Sequence, residues 1–307
     1  MKYTLFEETA KVLRVFAADS KEIPVKMPTN FITVNKDFFL KNPELLKSLI
    51  QCYKQNFGRS DVWGEGYKCL KCGRVLSLEY VQKYTKCNFC NGNKLKEIHS
   101  DKDLTERILH EADDKAFPRP FLLVHDPKNN KRLVGFMWGI VASLSQIQKE
   151  IVSMRYLDEQ DIGNAVMHAL EHALFTHGID FQSKIFYVAE AGIDPEFRGA
   201  HHGGYMFYLS RGVLEYVYAN GGAECILYWT NNLSSVLEWG RHSSFELIME
   251  ASGKPVLYYL LNKRPRDMLA IYQNLSLPEL VDLYKMSSKE FKKQVHCIIR
   301  REVRIDI

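Results

Sequence analysis

Apolar and polar positions repeat along this chain with two periods, and the changes of period mark its elements. The run Ile185-Phe186-Tyr187-Val188-Ala189-Glu190-Ala191-Gly192-Ile193 is apolar but for one carboxylate, the pattern of a buried β-strand. Beyond it, Met206, Leu209, Val213 and Tyr216 recur at helical spacing. Upstream, Phe121–His125 and Arg132–Trp138 are apolar runs on either side of the Pro/Asn turn 126–131, which predicts a β-hairpin. Downstream, Cys225–Thr230 reads as a buried strand, and Asn231 and Asn232 open a short helix. A second hairpin is expected from Phe245–Met249 and Val256–Leu261 around Ser252-Gly253-Lys254-Pro255. Near the start, Phe31–Val34 and then Pro43–Phe57 predict a strand and a helix, with another helix over Asp103–Asp114. Residues 143–183 are helical in pattern throughout.

Composition narrows the class without naming a function. The 307 residues are 46% hydrophobic and 25% charged, ordinary globular usage, and long enough to bury a sizeable core. That length suits two domains or one enlarged by insertions. There is no uncharged apolar run of the ~18 residues a membrane span needs. The opening Met-Lys-Tyr-Thr-Leu-Phe-Glu-Glu lacks the apolar region of a signal peptide. A cytoplasmic location without membrane attachment is the resulting expectation.

The candidate chemistry centres on the residues directly after Ile193: Asp-Pro-Glu-Phe-Arg-Gly-Ala-His-His-Gly-Gly, ending at Gly204. A strand that runs through a glycine-containing turn into a helix presents backbone N–H groups and a positive dipole end to an anion. Glycine lets the backbone close on phosphate oxygens, and Arg198 adds a charged fork of donors. An ordinary βα connection has the same outline, so the turn alone is a weak signal. The stretch resembles the acyl-CoA pyrophosphate loop of the GNAT superfamily of N-acetyltransferases, with its pattern apolar-x-Pro-x-aromatic-Arg-Gly-x-Gly-x-Gly or Ala. Ile193, Pro195, Phe197, Arg198, Gly199 and Gly203 match in register, whereas His201 stands where the family has glycine. A side chain there crowds the approach to a phosphate, so the departure bears on cofactor affinity. The hairpin upstream and the strand, helix and hairpin downstream match the family's order, from roughly residue 30 to 262.

The cysteines carry a separate signal. Cys69-x2-Cys72 and Cys87-x2-Cys90 are two CxxC pairs with fourteen residues between them. Each pair offers two thiolates from a tight turn, and together they complete a closed, structural four-cysteine zinc site. Gly73 and Asn91-Gly92-Asn93 supply the turn residues, and the spacing resembles a zinc ribbon. Disulfides or a redox CxxC are the weaker readings for a matched pair without a secretion signal. Cys52, Cys225 and Cys297 have no such spacing and read as buried or incidental. Residues 67–98 hold seven positive and two negative side chains, a net +5 that suits nucleic acid or an acidic protein as well as simple solvation. The resemblance implies an α+β fold, a mixed and mostly antiparallel sheet flanked by helices. It organises the chain as a GNAT-like domain over residues 1–262 with a zinc-ribbon insertion at 63–99, a helical insertion at 143–183 and a basic helical extension at 263–307.

Two further patterns are ambiguous. His168-Ala169-Leu170-Glu171-His172 is formally an H-x-x-E-H zinc-peptidase motif, with His177 nearby. Polar positions on a surface helix explain it better, because no downstream acidic ligand is identifiable. The tail 263–307 has ten cations and six anions, and two short helical patterns at Leu277–Tyr284 and Ser288–Arg300. An amphipathic cap on its own domain is favoured over a helix-turn-helix reader or a docking arm.

The resemblance implies direct attack of an acceptor amine on the acetyl-CoA thioester. That needs a base for the ammonium, a donor for the oxyanion and a route to protonate the thiolate. Family members splay their central strands, so backbone near Ile193 would hold the thioester and pantetheine. Asp194, Arg198, Gly199, Ala200, His201, His202, Gly203 and Gly204 would hold the pyrophosphate side, with Asn232 also on the cofactor. Glu190, alone among carboxylates in the cofactor strand, is the candidate general base, against a solvent-facing strand end. Many members carry Asn, a tyrosine seven residues later, then Gly-Phe; counted from Asn232, those places fall to Trp239 and Ser243-Ser244. An indole is no proton donor here, so the thiolate leaves unassisted or through water, or Tyr228 substitutes. Two classes stay open: an N-acetyltransferase acting on an unidentified primary amine (protein, small molecule or aminoacyl-tRNA), and a non-catalytic zinc-ribbon binding protein on a degenerate scaffold.

Overall fold

The computed structural model of the chain describes residues 31–59, 64–113, 115–126, 128–152, 160–197, 204–230, 245–251, 257–274 and 304–305. The chain divides into two compact units, one of Pro28–Trp138 with Glu190–Leu209, the other of Met1–Met27, Gly139–Ala189 and Ser210–Ile307.

The first unit opens with β1 (Phe31–Thr33) and the short helix α1 (Lys36–Lys41), whose N-cap Asn35 accepts from the Phe38 N–H. Helix α2 (Pro43–Gly58) starts with proline, which costs no hydrogen bond at that position, and buries Leu49, Ile50, Tyr53 and Phe57 at helical spacing. Then come β2 (Tyr67–Cys69), β3 (Val75–Leu76), α3 (Leu78–Lys83) and β4 (Leu95–Glu97), with a three-stranded sheet in the order β3-β2-β4. Helix α4 (Asp101–Glu111), capped by Ser100, buries Leu104, Ile108 and Glu111. The hairpin of β5 (Phe121–Asp126) and β6 (Asn129–Ala142) is antiparallel, with Phe121 opposite Trp138 and Val124 opposite Gly135. Its turn is tighter than the alternation predicts, because β6 already begins at Asn129, opposite Asp126. Strand order here is β1-β5-β6 and then the last residues of β7 (Ile185–Ile193). The core is aromatic: Phe121 stacks on Trp138 at 4.4 Å between centroids, and Tyr53 stacks on Phe136 at 5.6 Å.

The second unit takes the remainder of β6 and β7, with α5 (Leu144–Val152) and α6 (Gln160–Thr176) between them. Val166, Met167, Leu170 and Leu174 form the buried stripe of α6. Next along the chain are α7 (Gly204–Ala219), β8 (Cys225–Thr230), β9 (Glu246–Ala251), β10 (Leu257–Asn262), α8 (Pro265–Asn274) and β11 (Arg304–Ile305). Strand order is β6-β7-β8-β10-β9-β11, with β7 and β8 parallel, β8, β10 and β9 antiparallel, and β11 parallel to β9. Parallel neighbours need a crossover, and α7 supplies it, burying Val213, Leu214 and Val217. Only glycine fits at 139, where a Cβ would stand 2.1 Å from the Tyr187 carbonyl oxygen. The fold is a mixed, mostly antiparallel sheet flanked by helices, α+β as expected. No helix among the described residues is long and apolar enough to cross a membrane.

Candidate functional site

Glu190 is not solvent-facing. It sits nine-tenths buried near the end of β7, in a polar cluster enclosed by the aromatic core. Its Oε1 accepts from the Tyr53 hydroxyl at 3.0 Å and from Arg107 Nη2. Arg107 also donates through Nη1 to the Tyr53 oxygen at 3.0 Å and through Nε to Glu111 at 2.7 Å, while the Trp138 indole donates to the other Glu111 oxygen at 2.7 Å. One guanidinium thus serves two buried carboxylates. Burial pushes the Glu190 carboxyl above the usual range, and Glu111 adds to this, while Arg107 and the Tyr53 hydrogen bond pull it back. Burial likewise holds the Tyr53 hydroxyl well above its ordinary value, so it stays a donor. A buried carboxyl with a raised pKa is a stronger proton acceptor than an exposed one. Nothing local in the sequence marks Tyr53, Arg107 and Glu111, which lie on two helices and meet Glu190 only in the fold.

Strand β7 pairs with β8 over its first four residues. Its parallel ladder with β8 stops at Val188 opposite Tyr228, although β7 runs on to Ile193 and β8 to Thr230. Strand β8 keeps its other partner to the end, with Trp229 and Thr230 opposite Tyr259 and Tyr258. The buried Tyr228 lies at the last rung, between Val188 and Leu260. After β7 the chain turns sharply. Asp194 donates its N–H to the Val134 carbonyl at 2.7 Å and caps the 3-10 turn Pro195–Phe197, accepting from the Glu196 N–H at 3.0 Å. Arg132 on β6 braces this turn, donating to Asp194 and Glu196 at 2.8 Å each, with its guanidinium over the Phe197 ring. The Asp194 carboxylate is therefore occupied in shaping the turn. Arg198, Gly199, Ala200, His201, His202 and Gly203, and likewise Asn232, Trp239 and the expected helix after Asn231, lie outside the described residues; Gly204 opens α7. The helical patterns expected at Leu277–Tyr284 and Ser288–Arg300 lie outside them too.

The four CxxC cysteines come together. Their Sγ atoms all lie within 4.8 Å of one another, with Cys69 and Cys90 at 3.6 Å and Cys72 and Cys87 at 3.7 Å. A tetrahedron of thiolates with metal–sulfur bonds of about 2.3 Å has edges of about 3.8 Å, so the donor set fits a zinc ion. Each CxxC pair turns its own amides inward. The N–H groups of Cys72 and then Lys71 hold the Cys69 thiol down to about 7, and against the opposing effect of burial those of Phe89 and Cys90 lower Cys87. These bonds stabilise the Cys69 and Cys87 thiolates, the form that ligates metal, whereas, against the Arg74 N–H, burial and the neighbouring cysteines push Cys72 up to about 12. Among the described residues no other group of three or more such side chains is so gathered. His168 is exposed and contacts Glu171, whose carboxylate accepts from Gln148, and His172 is exposed as well, so this motif lies along a surface helix.

No protein-family model and no curated protein matches the chain. Solved structures do. A mosquito arylalkylamine N-acetyltransferase-like 5b is 12% identical, with a TM-score of 0.44 over 76% of this chain and 98% of its own. A Drosophila melanogaster polyamine N-acetyltransferase, which forms N-acetylagmatine, is 11% identical, with a TM-score of 0.42 over 76% and 99%. Arabidopsis thaliana NAA60 in complex with acetyl-CoA is 10% identical, with a TM-score of 0.41 over 76% and 96%. These N-acetyltransferases are what the chain is similar to, and between α2 and α4 it carries a four-cysteine cluster that fits a zinc ribbon.

Proposed function

We propose that this protein transfers an acetyl group from acetyl-CoA to a primary amine. The observation that carries the reading is the turn after β7, which Arg132 braces through Asp194 and Glu196 and which lies shortly before the start of α7. A helix that starts shortly after such a turn favours an anion. Acetyl-CoA, when bound, supplies the activated acetyl thioester. Arg198, Gly199, Ala200, His201, His202, Gly203 and Gly204 would hold its pyrophosphate, and backbone near Ile193 its thioester end. Asp194 and Arg132 shape the turn that precedes them in the chain. Glu190 takes the proton from the acceptor ammonium, directly or through water, with its basicity raised by burial and restrained by Arg107. Tyr228 is the proton donor to the departing sulfur. The four cysteines hold a structural zinc that folds the segment around them.

The test is acetyl transfer to a panel of amines across a pH range. Glu190→Gln should lower turnover by roughly 10²–10⁴-fold while leaving acetyl-CoA affinity nearly intact. The deficit should shrink at high pH, where more of the amine is already deprotonated. Undiminished turnover would remove Glu190 from the mechanism. Tight acetyl-CoA binding without transfer to any amine would favour a binding protein on this scaffold.

A further inference from the structure

The cysteine-bearing segment has two unlike faces. In its sheet, Tyr67 pairs with Leu76 and Glu97, and Cys69 pairs with Leu95, so these side chains share one face. That face holds the small core of Cys69, Leu76 and Cys87, with Leu95 packed against it. Lys68 pairs with Val75 and Lys96, so those three share the opposite face. The same register continues to Leu70 and Lys94, joined by the Leu70 N–H to Lys94 carbonyl bond at 3.0 Å. The two acidic residues of the segment are both engaged elsewhere: Glu97 with Lys54 at 2.8 Å and Glu79 with Arg59 at 3.5 Å. The outer face is left cationic.

It is also apolar. Among the described residues, four of the eight exposed large hydrophobic side chains fall between positions 70 and 89, namely Leu70, Val75, Tyr84 and Phe89. Phe89, 57% exposed at the tip of the second CxxC turn, carries the Arg74 guanidinium over its ring at 4.1 Å. A small folded segment gains nothing in stability from displaying rings and aliphatic chains to water, and exposed apolar side chains gathered beside cations mark a recognition surface.

We infer that this segment binds single-stranded nucleic acid, through Lys94 and Lys96 beside Leu70 and Val75 on its outer face and through the Arg74–Phe89 stack at the second CxxC turn. A single strand offers both chemistries in alternation: phosphates for the lysines, and unstacked bases for a ring already backed by a guanidinium. Lys94 and Lys96 stand one strand repeat apart, about 6.6 Å, and so serve successive backbone charges along one line. An acidic protein surface satisfies the lysines but leaves an upright, arginine-backed ring without a flat partner. A duplex keeps its bases stacked inward, away from Phe89.

The test is fluorescence polarisation with the full metal-loaded chain and four labelled probes: oligodeoxyuridylate, oligouridylate, the matching DNA duplex, and polyglutamate. Both single strands should bind more tightly than the duplex and polyglutamate, and the difference between the two strands reads any 2′-hydroxyl contribution. Phe89→Ala should weaken single-strand binding about five- to hundredfold with the salt dependence unchanged, whereas Phe89→Tyr should retain it. Lys94→Ala with Lys96→Ala should make the slope of log affinity against log salt shallower by about 1.4. All these side chains are exposed, and metal content with a melting curve checks that each variant folds. Should Phe89→Ala lose metal, Phe89→Leu keeps the bulk and removes only the π-face, and it should bind as weakly as expected for the alanine variant. Polyglutamate bound as tightly as the single strands, or Phe89→Leu binding like wild type, would overturn the inference in favour of an acidic protein partner. No single-strand binding at low salt would overturn it outright.

Discussion

Replacing Tyr53 by Phe removes one oxygen from the centre of the buried cluster and little else. The ring keeps its packing, stacked at 5.6 Å on Phe136, 4.4 Å from Phe57 and edge-on to His99 at 5.1 Å. The substitution deletes the donor to Glu190 at 3.0 Å and the acceptor for Arg107 Nη1 at 3.0 Å. Hydrogen bonds to charged groups contribute ~1.5–3 kcal/mol each. Arg107 retains Glu190 and Glu111, so the net cost should be nearer one bond than two, about 1.5–3 kcal/mol. The cost should depend on pH. The Glu190 carboxyl is already raised by burial, and the Tyr53 bond is one of the influences lowering it, so Tyr53→Phe raises it further. An acid with a raised folded-state pKa favours folding when protonated and withdraws that support as pH rises through the raised value. The variant's deficit should therefore be larger at neutral pH than at acidic pH, where Glu190 is neutral. Urea denaturation at both pH values, read as the midpoint at constant slope, measures this. A deficit below ~0.5 kcal/mol at neutral pH, the range of an inconsequential surface change, would refute the network as described.

Two other substitutions probe separate parts of the molecule. Cys87→Ser should release the metal and unfold the segment around it, because binding and folding are coupled in such units; elemental analysis showing zinc retained would reject the four-cysteine assignment. Gly139→Ala sets a Cβ 2.1 Å from a backbone oxygen that cannot swing aside, so chemical denaturation should show a loss of about 1–3 kcal/mol or more, and an unchanged midpoint would deny the close approach of β6 to β7.

Local pattern makes the skeleton legible. The apolar run at 185–193, the helical spacing after Gly204 and the run at 225–230 are β7, α7 and β8, since each rests on one period of burial. The second hairpin likewise appears as β9 and β10, displaced by a residue or so. The paired CxxC motifs predict their own convergence, because two knuckles with a flexible span can close on one centre. Helix α1 leaves no such trace, being six residues capped by Asn35 with one buried side chain, Phe39, too short to show a period. Glu190 is legible as a lone carboxylate in an apolar strand, but its partners are not. Arg107 lies 83 residues away on a charged helix, where it reads as an ordinary surface cation. Arg132, 62 residues from Asp194, reads as the polar start of a hairpin strand. Such pairings arise from strand order, which no local window contains.

The central proposal is that this chain binds acetyl-CoA through the turn after Ile193. Titration of acetyl-CoA into the purified protein by calorimetry tests it most directly, with Arg198→Ala alongside. One site per chain is expected in the wild type. A loss of roughly ten- to hundredfold is expected in the variant, the value of charge-assisted bonds of ~1.5–3 kcal/mol to pyrophosphate, with the unfolding midpoint unmoved. No heat of binding in the wild type, or equal affinity in Arg198→Ala, would contradict it.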